Sequence, residues 1–196
     1  MTARVVVAGI GSEYRSDDGA GPFVARRVAE LVGEAVDIGP LGEPLDLLGR
    51  WDGAELAILV DATCSGAAPG SVAVHDLDAL VVPQAVMGSG REDLAAAVAA
   101  SGSGASAVRT EASTHGIGLA AALAIARVAG CAPRRVVVVG IEGREFGFGV
   151  DMSPDVVAAL PGAVRSVLET AGLEIAGLEI AGLEMAGPPA GPGIGP

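Results

Sequence analysis

Lysine is absent from this chain of 196 residues, so all twelve cationic side chains are arginine, set against 24 carboxylates for a formal net charge of −12. No basic patch is visible. That argues against nucleic acid as a partner, because phosphate binding needs clustered cationic groups. Aromatic residues are scarce as well, with three Phe, one Trp and one Tyr in a chain that is 51% hydrophobic. The core must then be built from Val, Leu, Ile and Ala, as in parallel sheets covered by helices. Cysteine occurs only at positions 64 and 131, which excludes a disulfide framework and suits a reducing cytoplasm. The first residues carry no basic start with an apolar stretch and cleavage site, and no apolar run reaches the ~18 residues of a membrane span. The expectation is a cytoplasmic protein with no membrane partner, of a length that suits one domain.

What is present alternates strand with helix. Val5–Ala8 read as a buried strand, and Phe23–Val32 place Val24, Val28, Leu31 and Val32 at helical spacing. A short strand is expected over Ala35–Ile38, and a short amphipathic helix over Leu41–Leu48 with Trp51. Leu56–Val60 form a second buried strand that should stop at Asp61. Ser71–His75 suit a short, antiparallel edge strand, while residues 86–114, rich in Gly, Ala and Ser, read as a mobile insertion or lid. Ser113 and Thr114 can cap a helix that holds His115 at its N-terminus and is closed by Gly130. Val136–Val139 make a third buried strand, ending at Gly140, Ile141 and Glu142. Ser153-Pro154 opens a last helix, which Pro161 should bend or restart. The class is α/β with a mostly parallel sheet.

Residues 171–185 are three copies of a five-residue unit, Ala-Gly-Leu-Glu-Ile twice and Ala-Gly-Leu-Glu-Met once. Its leucines would turn by ~140° per copy around a helix, so no single face could be buried. The domain is therefore expected to span residues 1–170, with 171–196 a disordered, repetitive Gly/Pro-rich tail.

Four polar groups converge where ligands bind in such sheets, beyond the carboxyl ends of the strands. Asp18 follows the first strand, Asp61 ends the second strong one, His115 begins a helix that opens at the same edge, and Glu142 follows the last strand. Two carboxylates and an imidazole suit a divalent cation of borderline hardness such as zinc or nickel. Each residue also has a plainer reading. Asp61 can cap a turn, Asp17 and Asp18 can complement the next helix N-terminus, and Arg15 can answer their adjacent charges. His115 can be structural, although a helix N-terminus favours its neutral form. His75 reads as a surface residue. Cys64 paired with His115 would make a thiol nucleophile, but no third orienting group is apparent. Glu142 is either a supporting partner of the site or a loop residue. The two glycines after the first strand invite a nucleotide-binding reading, which Tyr14 in place of a third glycine and the two aspartates oppose. No His-Glu-x-x-His helix and no Gly-x-Ser-x-Gly elbow is present.

Four segments occur together in order: Gly-Ile-Gly-Ser-Glu-Tyr-Arg-Ser-Asp-Asp-Gly-Ala-Gly-Pro (9–22), Val-Asp-Ala-Thr-Cys-Ser-Gly (60–66), Ser-Thr-His-Gly-Ile-Gly-Leu (113–119) and Val-Val-Gly-Ile-Glu (138–142). With these the chain resembles the hydrogenase maturation proteases over about residues 3–170. The resemblance implies a three-layer α/β/α fold with a twisted sheet. It also implies an endopeptidase that removes the carboxy-terminal extension of a nickel-iron hydrogenase large-subunit precursor after nickel insertion. Its metal-binding and catalytic trio falls on Asp18, Asp61 and His115, with Asp17 and Glu142 as supporting groups. Nickel would arrive with the precursor, and zinc or cadmium would serve as surrogates. Ser12 stands where the family usually has Asn. The alternative is a non-catalytic chaperone or adaptor that holds the metallated partner without cutting it.

Overall fold

A computed structural model describes residues 4–33, 37–41, 44–77 and 114–173. Strand β1 (Val5–Ile10) leads through a single 3-10 turn (Ser16–Gly19) into helix α1 (Ala20–Val32). Strand β2 (Asp37–Leu41), a 3-10 segment (Pro44–Gly49) and strand β3 (Leu56–Thr63) follow. Strand β4 (Val72–Asp76), helix α2 (Thr114–Ala129), strand β5 (Arg135–Glu142) and helix α3 (Pro154–Thr170) complete the fold. The strands form one sheet in the order β2-β1-β3-β5-β4, parallel except for β4, which pairs antiparallel with β5 at the edge.

The period of two along each strand divides the core between two faces. Val7, Ile58, Val60, Val139 and Ile141 pack with Val24, Val28, Val156, Leu160 and Val164 under α1 and α3. Ala8, Ile10, Ala57, Leu59, Val136 and Val138 face the other way, against Leu47, Trp51, Ala122, Leu123 and Ala126. The result is the expected three-layer α/β/α arrangement. With so few aromatic residues, aliphatic side chains do fill both layers, and Trp51 is fully buried in the second.

Several expectations need correcting. β3 does not stop at Asp61 but runs on to Thr63, because Asp61, Ala62 and Thr63 continue the parallel ladder opposite Gly140, Ile141 and Glu142. β2 begins at Asp37 and reaches Leu41, displaced toward the carboxyl end from the span expected. The segment before β3 is a 3-10 helix starting at Pro44. α3 passes through Pro161 without a restart. The ring removes one backbone donor there, a loss that the buried face of Val156, Leu160, Val164 and Val167 outweighs. Gly130 ends α2 as expected, with φ +73°. The expected insertion lies outside the described residues except for Thr114, and so does the tail beyond residue 173.

The sheet order reverses between β1 and β3: α1 carries the chain from β1 outward to β2, on one face, and α2 enters β5 on the other. A crevice is expected outside the carboxyl ends of those two strands. α1 reaches this point by close contact of backbones. A Cβ on Gly21 would lie 2.4 Å from the carbonyl oxygens of both Ile10 and Val60, and one on Gly9 would lie 2.3 Å from the Gly21 oxygen. The glycines around the acidic loop are thus spacers that seat α1 on the strand ends.

Candidate functional site

Four carboxylates are buried at this edge of the sheet, and they fall into two kinds. Asp17 lies in the 3-10 turn before α1 and is fully buried. Its Oδ2 accepts the backbone N–H groups of Arg144 at 2.8 Å and Glu145 at 2.9 Å, and the Ser153 hydroxyl at 3.0 Å. Its Oδ1 accepts the Ser153 N–H at 2.6 Å. Its own N–H donates to the Glu145 carbonyl at 3.0 Å. Asp17 therefore ties the β5–α3 loop to the acidic turn. The expectation that Arg15 answers the aspartate charges fails, because backbone amides and a hydroxyl do so while the Arg15 guanidinium stands 5.1 Å over the Phe148 ring. Ser153 sits at the start of α3 as expected, but its hydroxyl serves Asp17 and makes no cap bond.

Glu142, the last residue of β5, is the second saturated carboxylate. Oε1 accepts the N–H groups of Ser65 at 2.7 Å and Gly66 at 2.8 Å, and Oε2 accepts the hydroxyls of Ser65 at 2.8 Å and Thr63 at 3.1 Å. It braces the loop that leaves β3 just beyond Asp61. The bonds of Glu142 are thus structural, holding the segment from Thr63 to Gly66.

Asp61, with the charge of Asp18 beside it, makes the other kind. Asp18 is buried and accepts the Ser12 N–H at 2.9 Å, which closes the acidic loop on itself. Gly11 makes this closure possible: its φ is +121°, and a Cβ there would sit 2.0 Å from the Asp18 carbonyl oxygen. Ser16, at the start of the turn, also holds a left-handed φ of 47°, with its hydroxyl donated to the Asp151 carbonyl at 2.8 Å. Asp61 belongs to the row of β3 that carries Ala57 and Leu59, so it lies on the α2 face of the sheet. Burial, and then the neighbouring charge of Asp18, push its carboxyl up to about 8, against a smaller lowering by the Ala62 N–H. Its Oδ1 is buried and has no hydrogen-bond partner among the described residues. An unpaired buried carboxylate oxygen beside a second carboxylate is costly unless a proton or a cation is placed there. Two carboxylates so placed are donors of the type that a divalent cation takes, and a proton on Asp61 answers the same need.

His115 is the second residue of α2. The Arg134 N–H donates to the Ala54 carbonyl at 3.3 Å, which holds the chain leaving α2 near the amino end of β3. The helix N-terminus therefore lies toward the carboxyl edge, as topology demands. The His115 side chain is outside what the structure describes, and among the described residues no group of three His, Cys, Asp or Glu side chains gathers. Cys64 is exposed and Cys131 half-buried, both free thiols. His75 is half-buried in β4, not fully on the surface. The roles of Asp17 and Glu142 were legible only as acidic residues near the site. Their partners, up to 136 positions away in sequence, leave no local signal.

Fold and site together define an open-sheet α/β protein with an acidic pair at the topological switch point. Solved structures with this architecture include a hydrogenase maturating endopeptidase, HybD, from E. coli, with TM-score 0.63, 22% identity, and coverage of 85% of this chain and 91% of that one. A hydrogenase 2 maturation peptidase from Thaumarchaeota archaeon SCGC_AB-539-E09 has TM-score 0.54 and 27% identity, over 87% and 99% of the two chains. A [NiFe] hydrogenase maturation protease, HybD, from Thermococcus kodakarensis has TM-score 0.59 and 22% identity, over 86% and 99%. No family model and no curated protein matches the sequence. The chain resembles these hydrogenase maturation peptidases in fold. Among the described residues no helix is long and apolar enough to cross a membrane.

Proposed function

We propose that this protein is an endopeptidase that removes the carboxy-terminal extension of a nickel-iron hydrogenase large-subunit precursor after nickel has been inserted. The observation that carries the reading is the buried Oδ1 of Asp61, without a hydrogen-bond donor among the described residues and facing the charge of Asp18. This oxygen is the feature expected of a group held ready for a metal ion. The nickel is part of the substrate: held by the precursor, it would complete its coordination with Asp18, Asp61 and His115. Such an arrangement makes recognition and docking one event, because a metallated precursor brings a cation that can take the place of the proton held on Asp61 beside the charge of Asp18. Asp18, Asp61 and His115 would hold the cation next to the docked segment, where it would supply a Lewis acid to polarise the scissile carbonyl and a carboxylate could activate water. Asp17 and Glu142, both saturated with donors, hold the two loops that border the site and take no part in proton transfer. A zinc or cadmium ion can stand in for nickel on the same oxygen and nitrogen donors.

The test is incubation of the protein with a nickel-loaded and a nickel-free precursor, followed by intact-mass measurement. Shortening of the nickel-loaded form alone is expected. Equal cleavage of both would sink the metal-gated reading, and stable binding without shortening would identify an adaptor instead.

A further inference from the structure

Three large apolar side chains stand in the open on the two loops that Asp17 joins: Tyr14 is 69% exposed, Phe148 75% and Val150 53%. Exposed apolar groups are ordinary when scattered on loose segments. These are held in place. The Gly149 N–H donates to the Tyr14 carbonyl at 3.1 Å, which links the two loops directly. Asp17 gathers the N–H groups of Arg144, Glu145 and Ser153, and Ser16 reaches the Asp151 carbonyl at 2.8 Å. A loop braced at 144, 145, 149, 151 and 153 has already lost its conformational entropy, so a contact made on it costs little further ordering.

The patch also carries a charge. Arg15 lies over the Phe148 ring at 5.1 Å, and its buried Nε has no hydrogen-bond partner among the described residues. Arg26, Arg27, Arg135 and Arg144 are each paired with a carboxylate, whereas Arg15 has no ion pair among the described residues. In a chain of net charge −12, an unpaired guanidinium stacked on an exposed ring suits an incoming carboxylate. The patch borders the acidic turn, for Tyr14 and Arg15 lie four and three residues before Asp18 and the Asp18 N–H donates to the Arg15 carbonyl at 3.0 Å.

We infer that Tyr14, Arg15, Phe148 and Val150 form the docking surface for the peptide segment next to the cleaved bond of the precursor, seating an apolar side chain against Tyr14, Phe148 and Val150 and a carboxylate on Arg15. This rests on the maturation-peptidase reading and adds to it a specificity surface separate from the metal. The metal selects a loaded precursor, and the patch selects its sequence. Asp17 is the positioning residue that fixes the one loop against the other.

The experiment compares wild type, Phe148→Ser, Arg15→Glu and, as a control, Val128→Ser in steady-state cleavage of the nickel-loaded precursor. Val128 is 67% exposed, near the carboxyl end of α2. Phe148→Ser and Arg15→Glu should each raise KM about tenfold, the effect of losing one interface anchor, with a smaller change in kcat. Val128→Ser should leave KM as it is. Thermal melting and cadmium binding of the free protein should match wild type in all three, which separates lost docking from lost folding or a lost metal site. Unchanged KM in both patch variants, beside an active wild type, overturns the docking surface and leaves the peptidase reading intact. If wild type neither binds nor cuts the precursor, both fall. A dimer of wild type that dissociates in Phe148→Ser, with KM unchanged, would assign the patch to a second copy of the chain and also overturn the inference.

Discussion

Asp17 and Asp18 are neighbours in one turn and both are buried, yet their side chains face two different regions, the β5–α3 loop and the end of β3. Asp17, like Glu142 across the sheet edge, spends its oxygens on four donors of the chain itself. Asp18 faces Asp61, whose buried Oδ1 has no donor among the described residues. Carboxylates of the first kind hold structure and would be expensive to remove. A carboxylate of the second kind is a cost to the free protein, kept for what it can bind. The contrast separates residues that shape the candidate site from residues proposed to act in it, although all four are acidic and all four lie at one edge.

Breaking the first kind should have the largest effect on stability. Asp17→Ala strands three backbone N–H groups and a hydroxyl, of which the N–H and hydroxyl of Ser153 are buried and the other two part-buried, and chemical denaturation should show a loss of roughly 3 kcal/mol, at ~1–3 kcal/mol for each buried group and less for those that water reaches. Glu142→Ala strands donors that are only part-buried. The same measurement should show a smaller loss, on the order of 1–2 kcal/mol, with cleavage reduced because the loop after Asp61 is released.

Asp61→Asn sharpens the comparison, because it should cost activity and not stability. The sign follows from the carboxyl being raised to about 8 in the folded protein, against about 4 in the unfolded chain. The folded state favours the protonated form, so this group stabilises fully below pH ~4 and loses its contribution progressively as pH rises through the folded value near 8. Metal-free wild type should therefore weaken relative to Asp61→Asn between those limits. Urea melts at pH 4 and pH 8.5 should give similar midpoints at the lower pH and a more stable variant at the higher one. A variant less stable than wild type at pH 8.5 would place Asp61 with the saturated kind.

The smallest effect should come from Cys64→Ser. The thiol is exposed and free, so the stability change should stay within ~0.5 kcal/mol, and cleavage measured by mass should persist. Loss of cleavage would revive the thiol nucleophile.

The strands were legible because their burial is local: Val5–Ala8, Leu56–Val60 and Val136–Val139 are apolar runs whose neighbours in the sheet face the two helical layers. Asp61 was legible as a site residue but not as part of the ladder. An apolar run ends at the first charge, whereas the backbone pairing of β3 with β5 continues beneath it to Thr63. The topological argument brought Asp18 and Asp61 to one edge, and their electrostatic coupling agrees. What escaped the sequence was long-range: the bonds from Asp17 to Ser153 and from Glu142 to Ser65 span 136 and 77 positions. The pairing of Arg15 with Phe148 is of the same kind, since no periodicity joins residues on two loops.

The most direct test of the account is the intact mass of a nickel-loaded large-subunit precursor after incubation with wild type or with Asp61→Asn, a variant that keeps the shape of the side chain and removes its charge. Wild type should shorten the precursor, and the folded variant should leave it at full length. A precursor shortened equally by both would contradict the claim that the buried, unpaired oxygen of Asp61 is there to meet the metal.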